Sequence, residues 1–84
     1  MTLVGIDPRN VNYDSDHDVL HVFFPPFDYS VDDEDFPDII IKRSLANERV
    51  TGLVIINFSK QKNEYLKQVL PRYDFEEIRK IYLG

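Results

Sequence analysis

The chain has no cysteine in its 84 residues, which excludes disulfides, cysteine-ligated zinc, iron–sulfur ligation and cysteine nucleophiles together. Glycine is scarce: Gly5, Gly52 and Gly84 are the whole supply, so no glycine-rich phosphate loop exists. Long apolar runs are lacking too. The longest, Leu53-Val54-Ile55-Ile56, falls far short of the roughly 20 residues of a spanning helix, so no membrane partner is expected. Met1 to Pro8 lacks the basic stretch of a secretory signal, and the expected location is cytoplasmic. Positive charge is nearly missing from the first part of the chain. Residues 1–38 set Arg9 alone against ten carboxylates, a net of −9, whereas residues 39–84 set nine Lys and Arg against five acids, a net of +4. The overall −5 argues against nucleic acid as a partner. The asymmetry marks either an interaction surface or two halves that attract each other within the fold.

What is present suits one small domain spanning residues 1–84, with a β part over 1–58 and a helical tail over 59–84. The composition, 43% hydrophobic and 13% aromatic, supports a core and excludes a disordered class. Four stretches predict strands: Val11–Tyr13, Val19–Phe24, Asp38–Arg43 and Val50–Phe58. Asp14-Ser15-Asp16-His17-Asp18 is a polar turn, and Pro25-Pro26 ends the second strand. Residues 25–38 form a long connection. Asn47 is the expected left-handed residue of the next turn, and Gly52 marks a bulge or a close backbone approach. From Ser59 the period becomes helical. Ser59 caps a helix carrying Tyr65, Leu66, Val69 and Leu70, and Pro71 interrupts it. Asp74 caps a second helix whose buried side is Phe75, Ile78, Ile81 and Tyr82. The expected fold is α+β: a four-stranded, mainly antiparallel β-meander with two C-terminal helices packed on one face.

The third and fourth strands are apolar on both faces, Ile39/Ile41 against Ile40 and Val54/Ile56/Phe58 against Leu53/Ile55. Such a sheet must be covered twice. Helices cover one face; the other calls for the 25–38 connection, a second subunit or another protein.

Chemistry-bearing patterns are few. Asp14, Asp16 and Asp18 open like a calcium loop, but Val19 and Pro25 stand where its glycine and glutamate belong, which leaves them as weak metal candidates beside the simpler reading of a solvated turn. His17 and His21 straddle a turn and a strand, so they do not chelate one ion as a helical pair would. The serines lie at turns or caps, outside any nucleophile motif. The rival to a binding module is a small metal-dependent or hydrolytic enzyme built on His17, His21 and nearby carboxylates. No cofactor is implied. Phe23, Phe27, Tyr29 and Phe36 bracket the acidic run Asp32, Asp33, Glu34 and Asp35; aromatics beside carboxylates suit a basic protein partner, and the alternative is that the rings cap the open sheet face. The lysines of residues 60–80 make a modest basic strip with no base-reading motif.

Tyr13-Asp14-Ser15-Asp16-His17-Asp18-Val19-Leu20-His21-Val22-Phe23-Phe24, the acidic stretch, the Ile-rich strand and Arg49-Val50-Thr51-Gly52-Leu53-Val54-Ile55-Ile56-Asn57-Phe58-Ser59 together resemble the small bacterial family called domain of unknown function 2283. The resemblance covers about residues 11–60. Val54 stands where that family has a glutamate and Phe58 where it has an alanine. The resemblance implies a compact β-meander and an accessory, partner-binding role, antitoxin-like by analogy.

Overall fold

Alternating side chains and a helical tail sort this chain into a sheet with helices on one side. The computed structural model describes residues 4–26 and 28–83. The strands are β1 (Val4–Gly5), β2 (Val11–Asp14), β3 (Val19–Phe23), β4 (Ser30–Phe36), β5 (Ile39–Ser44), β6 (Val50–Ile56) and β7 (Tyr73–Asp74). The helices are α1 (Asn63–Val69) and α2 (Glu76–Leu83). Five strands form one antiparallel sheet in the order β2-β3-β6-β5-β4. The two-residue strands β1 and β7 pair in parallel.

The sheet differs from the expected one in two ways. It has a fifth strand, and it is not a simple meander. After the β2–β3 hairpin the chain crosses to the far edge, then returns through β4, β5 and β6 until β6 lies beside β3. That is a Greek-key path. Residues 30–36, expected as part of a connection, are the new edge strand. Their acids have low strand propensity, but pairing overrides it. Asp32 lies opposite Lys42 and Val31 opposite Arg43 in the register. Lys42 Nζ reaches Asp32 Oδ1 at 3.1 Å, and Arg43 Nε reaches Asp33 Oδ2 at 3.5 Å. Here the acidic and basic parts of the chain attract each other across a ladder.

The core lies between one sheet face and the helices. Leu20, Val22, Ile39, Ile41, Leu53 and Ile55 point from the sheet into Leu66, Leu70, Phe75 and Ile78, joined by Ile6 and Phe58. Each such side chain, once buried, contributes on the order of 1.5–3 kcal/mol. Gly52 sits at a close approach: a Cβ there would meet the Val22 carbonyl oxygen at 3.0 Å. The register steps beside it, since Lys42 faces Gly52 while Arg43 faces Val50.

Local details shift for identifiable reasons. Asn47 spends its side-chain oxygen on the Arg49 N–H at 2.9 Å, and the left-handed residue is Glu48, with φ of 60°. The last strand of the main sheet stops at Ile56, because Asn57 turns left-handed (φ 55°) and Phe58 drops into the core within a short 3₁₀ turn, Phe58–Lys60. Ser59 therefore caps no α-helix; its hydroxyl is bound elsewhere, and α1 begins after Lys62 without a side-chain cap. Asp74 does cap the second helix, accepting from the Glu76 N–H at 3.0 Å. Ile81 is 51% exposed, because Tyr82 and Leu83 turn towards the core in its place.

Candidate docking surface

The aspartates of the first turn are spent on the turn itself. Asp14 Oδ1 accepts from the backbone N–H groups of Asp16 (3.1 Å) and His17 (3.3 Å), while its Oδ2 meets His17 Nδ1 at 2.8 Å. The His17 ring, with these backbone donors, holds the Asp14 carboxyl below the usual carboxylate range. Asp18, left-handed at φ of 56°, faces the other way. Tyr13 Oη donates to its Oδ1 at 2.6 Å, the Ser59 N–H to the same oxygen at 2.9 Å and Ser59 Oγ to its Oδ2 at 2.6 Å. Partial burial works against the ionised form of Asp18, but the hydrogen bonds from Ser59 and Tyr13 prevail and lower its pKa. The Asp18 carbonyl also accepts from the Phe58 N–H. The three aspartates thus do not converge. Among the described residues no three His, Asp or Glu side chains gather in metal-binding reach.

The two histidines lie in different settings. His17 is exposed in the turn, whereas His21 lies on β3 between Asn12 and Val54, stacked on Phe23 with 6.5 Å between ring centroids. A cleft of about 270 Å³ lies between α1 and the start of α2, lined by Leu66, Lys67, Tyr73, Phe75 and Glu76; neither histidine lines it. Lys67 and Glu76 pair across it at 3.6 Å.

The acidic-aromatic segment is taken apart by its new role as a strand. Asp32 and Asp33 pair with Lys42 and Arg43. Glu34 and Asp35 are exposed at an irregular step in the register, and Asp33 pushes the Asp35 pKa up. Tyr29 is 86% and Phe36 39% exposed. Phe27 lies outside the described residues. Phe23 belongs to a different surface, the sheet face away from the helices.

That face follows from register. Val19 pairs with Ile56, His21 with Val54, Phe23 with Gly52 and Ile40 with Val54, which sets all of them opposite to the core-directed Leu20, Val22, Leu53 and Ile55. Val54 is buried yet stands outside the core cluster, and Val19, His21, Phe23, Ile40 and Ile56 are half-buried. Among the described residues, no helix or further strand lies over them. Phe24, Pro26 and Asp28 lie at one end of the sheet. There Arg49 Nη1 donates to the Phe24 carbonyl at 3.2 Å and its Nη2 to that of Pro26, while Ser44 Oγ donates to Asp28 Oδ2 at 2.8 Å. The doubly apolar strands signalled this face in the sequence. Its margins, Asn12 and Asp14 on β2 and Asp32 and Lys42 on β4 and β5, become visible only with the strand order.

Among the described residues, no helix is long and apolar enough to cross a membrane. No family model, curated protein or solved structure matches the chain.

Proposed function

We propose that this chain is a non-enzymatic, cytoplasmic protein-docking module that receives its partner on the open sheet face. One observation carries the reading: a three-strand-wide apolar patch of Val19, Ile40, Val54 and Ile56 over which no helix or further strand of the described residues lies. Apolar patches of this kind mark interaction surfaces. The resemblance to domain of unknown function 2283 supports the same accessory, antitoxin-like role. The enzyme alternative draws no support from geometry, because His17 is tied to Asp14 in an exposed turn and His21 stacks on Phe23 away from any carboxylate partner. A basic partner for the acidic run is the weaker docking mode, since two of its four carboxylates are already paired.

The test compares pull-downs by the native chain and by an Ile40→Arg bait at low and high salt. Loss of a captured protein with Ile40→Arg, and retention with Asp35→Asn, supports docking on the face. Capture that ignores Ile40→Arg but vanishes with salt and with Asp35→Asn moves the site to β4 and ends this reading.

A further inference from the structure

We infer that the cavity between the end of α1 and the β5–β6 ladder binds a small organic anion, one carboxylate on a short apolar group, through Arg43, Arg72 and Tyr73. The cavity measures about 300 Å³. Register makes its floor: Ile41 pairs with Leu53, so both side chains rise on the core-directed side of the sheet, and Leu70 joins them where α1 ends. Half-buried Val50 and Val69 form apolar walls. The register step beside Gly52 sets Arg43 opposite Val50, which brings a cation and an apolar wall to the same end of the cavity. The site lies across the sheet from the docking face and does not depend on the reading of that face.

The polar groups at the rim have capacity to spare. Arg72 follows Pro71 in the exposed turn after α1 and makes no ion pair among the described residues. Asp33 stands 3.5 Å from Arg43 Nε, beyond the roughly 2.7–2.9 Å of a tight charge-assisted hydrogen bond. Tyr73 is held in place by its backbone pairing with Val4 and by its ring against Phe24, at 5.3 Å between centroids. Its hydroxyl has no hydrogen-bond partner among the described residues. Burial pushes the Tyr73 phenol up while Arg72 and Arg43 pull it down, so both guanidiniums act on the same hydroxyl, which stays protonated and able to donate at neutral pH.

Charge and size select the ligand. Two guanidiniums stand against Asp33 and the C-terminus of α1, whose partial charge is about half a unit, and the rim keeps a small positive excess. That excess suits a monoanion. A phosphate dianion overshoots it, and a cation is repelled. The planar guanidinium fork matches the two oxygens of a carboxylate. Ligand pockets run from roughly 300 to 1,000 Å³, so this one, at the small end, takes a compact ligand rather than a lipid chain.

Amide NMR titration of the full chain tests the inference. The probe is phenylbutyrate; phenylbutanol and phenylbutylamine carry the same tail without the anion, and inorganic phosphate carries the charge without the tail. Phenylbutyrate is expected to shift the amides around Arg43, Val50 and Arg72, with a dissociation constant on the order of 0.1–1 mM. The alcohol, the amine and phosphate should each bind at least about tenfold more weakly. Arg72→Gln, in an exposed turn, should weaken phenylbutyrate about five- to tenfold, and Tyr73→Phe, which keeps the ring, about threefold, with the rest of each spectrum unchanged. Absence of shifts at about 10 mM, equal binding of the alcohol, or an Arg72→Gln variant that binds as the native chain does overturns the site.

Discussion

Two acidic clusters, Asp14–Asp18 and Asp32–Asp35, are put to opposite uses. In the first, the carboxylates turn inward to the chain. Asp14 organises its own turn, and Asp18 ties the β2–β3 hairpin to the 3₁₀ turn 41 residues later through Ser59. In the second, the carboxylates line a sheet edge; two meet cations on the next strand, and two face solvent. Acidity makes these segments look alike, but geometry makes one a clasp and the other a border. The difference lies in the available donors. The first cluster is surrounded by backbone N–H groups, a phenol and a hydroxyl, whereas the second meets mainly the ends of flexible Lys and Arg side chains.

The contrast is sharpened most by Asp18→Ala, which removes three hydrogen bonds to a charged acceptor and should cost about 3 kcal/mol, read as a lower urea midpoint. Asp18→Asn keeps a residue that tolerates the left-handed backbone and should cost less. The same site gives a pH signature. Its folded pKa lies below the ordinary 3.8, so its stabilisation is complete above that value and is lost as pH falls through the folded pKa. Native stability should therefore drop on acidification below about pH 4, and the Asp18→Asn curve should be flatter there. Equal slopes for the two proteins would place the acid sensitivity elsewhere.

Ser59→Ala ranks next. It removes the hydroxyl bond to Asp18 and leaves α1 untouched, so about 1 kcal/mol should be lost with no change in helical circular dichroism. Asp32→Asn, on the edge strand, should cost about 0.5 kcal/mol or less, and that cost should disappear in molar salt. Smallest is Asp35→Asn. The Asp35 pKa is raised by Asp33, so the ionised pair opposes folding as pH rises through that value. The variant should show a slightly higher urea midpoint at neutral pH and lose that gain as pH falls below the Asp35 pKa, where that carboxyl is neutral. A loss of stability at neutral pH would mean that the Asp35 carboxylate is held as firmly as that of Asp18.

The legible parts of this fold are those whose signal is local. Leu20, Val22, Leu53 and Ile55 alternate strictly, and Pro25-Pro26, Pro71 and Asp74 punctuate the chain as such residues do. β4 was hidden because Asp32 to Asp35 read as solvated loop until Lys42 and Arg43 are known to lie opposite them. Ser59 was misread for a similar reason. A serine before a helical period is a good cap candidate, and nothing nearby reveals that a carboxylate from residue 18 claims its hydroxyl. The open face was legible as surplus apolarity in Ile40, Val54 and Ile56. What shapes its margin, the recruitment of residues 30–36 into the sheet, depends on strand order, which residue type and spacing do not encode.

The β4 edge limits how the molecule multiplies. A free strand edge is a template on which further chains can polymerise, and this one ends in an irregular step, two solvent-facing acids and Pro37. Incoming backbone meets repulsion there and loses its regular ladder. Addition of a further strand is thereby opposed on that side.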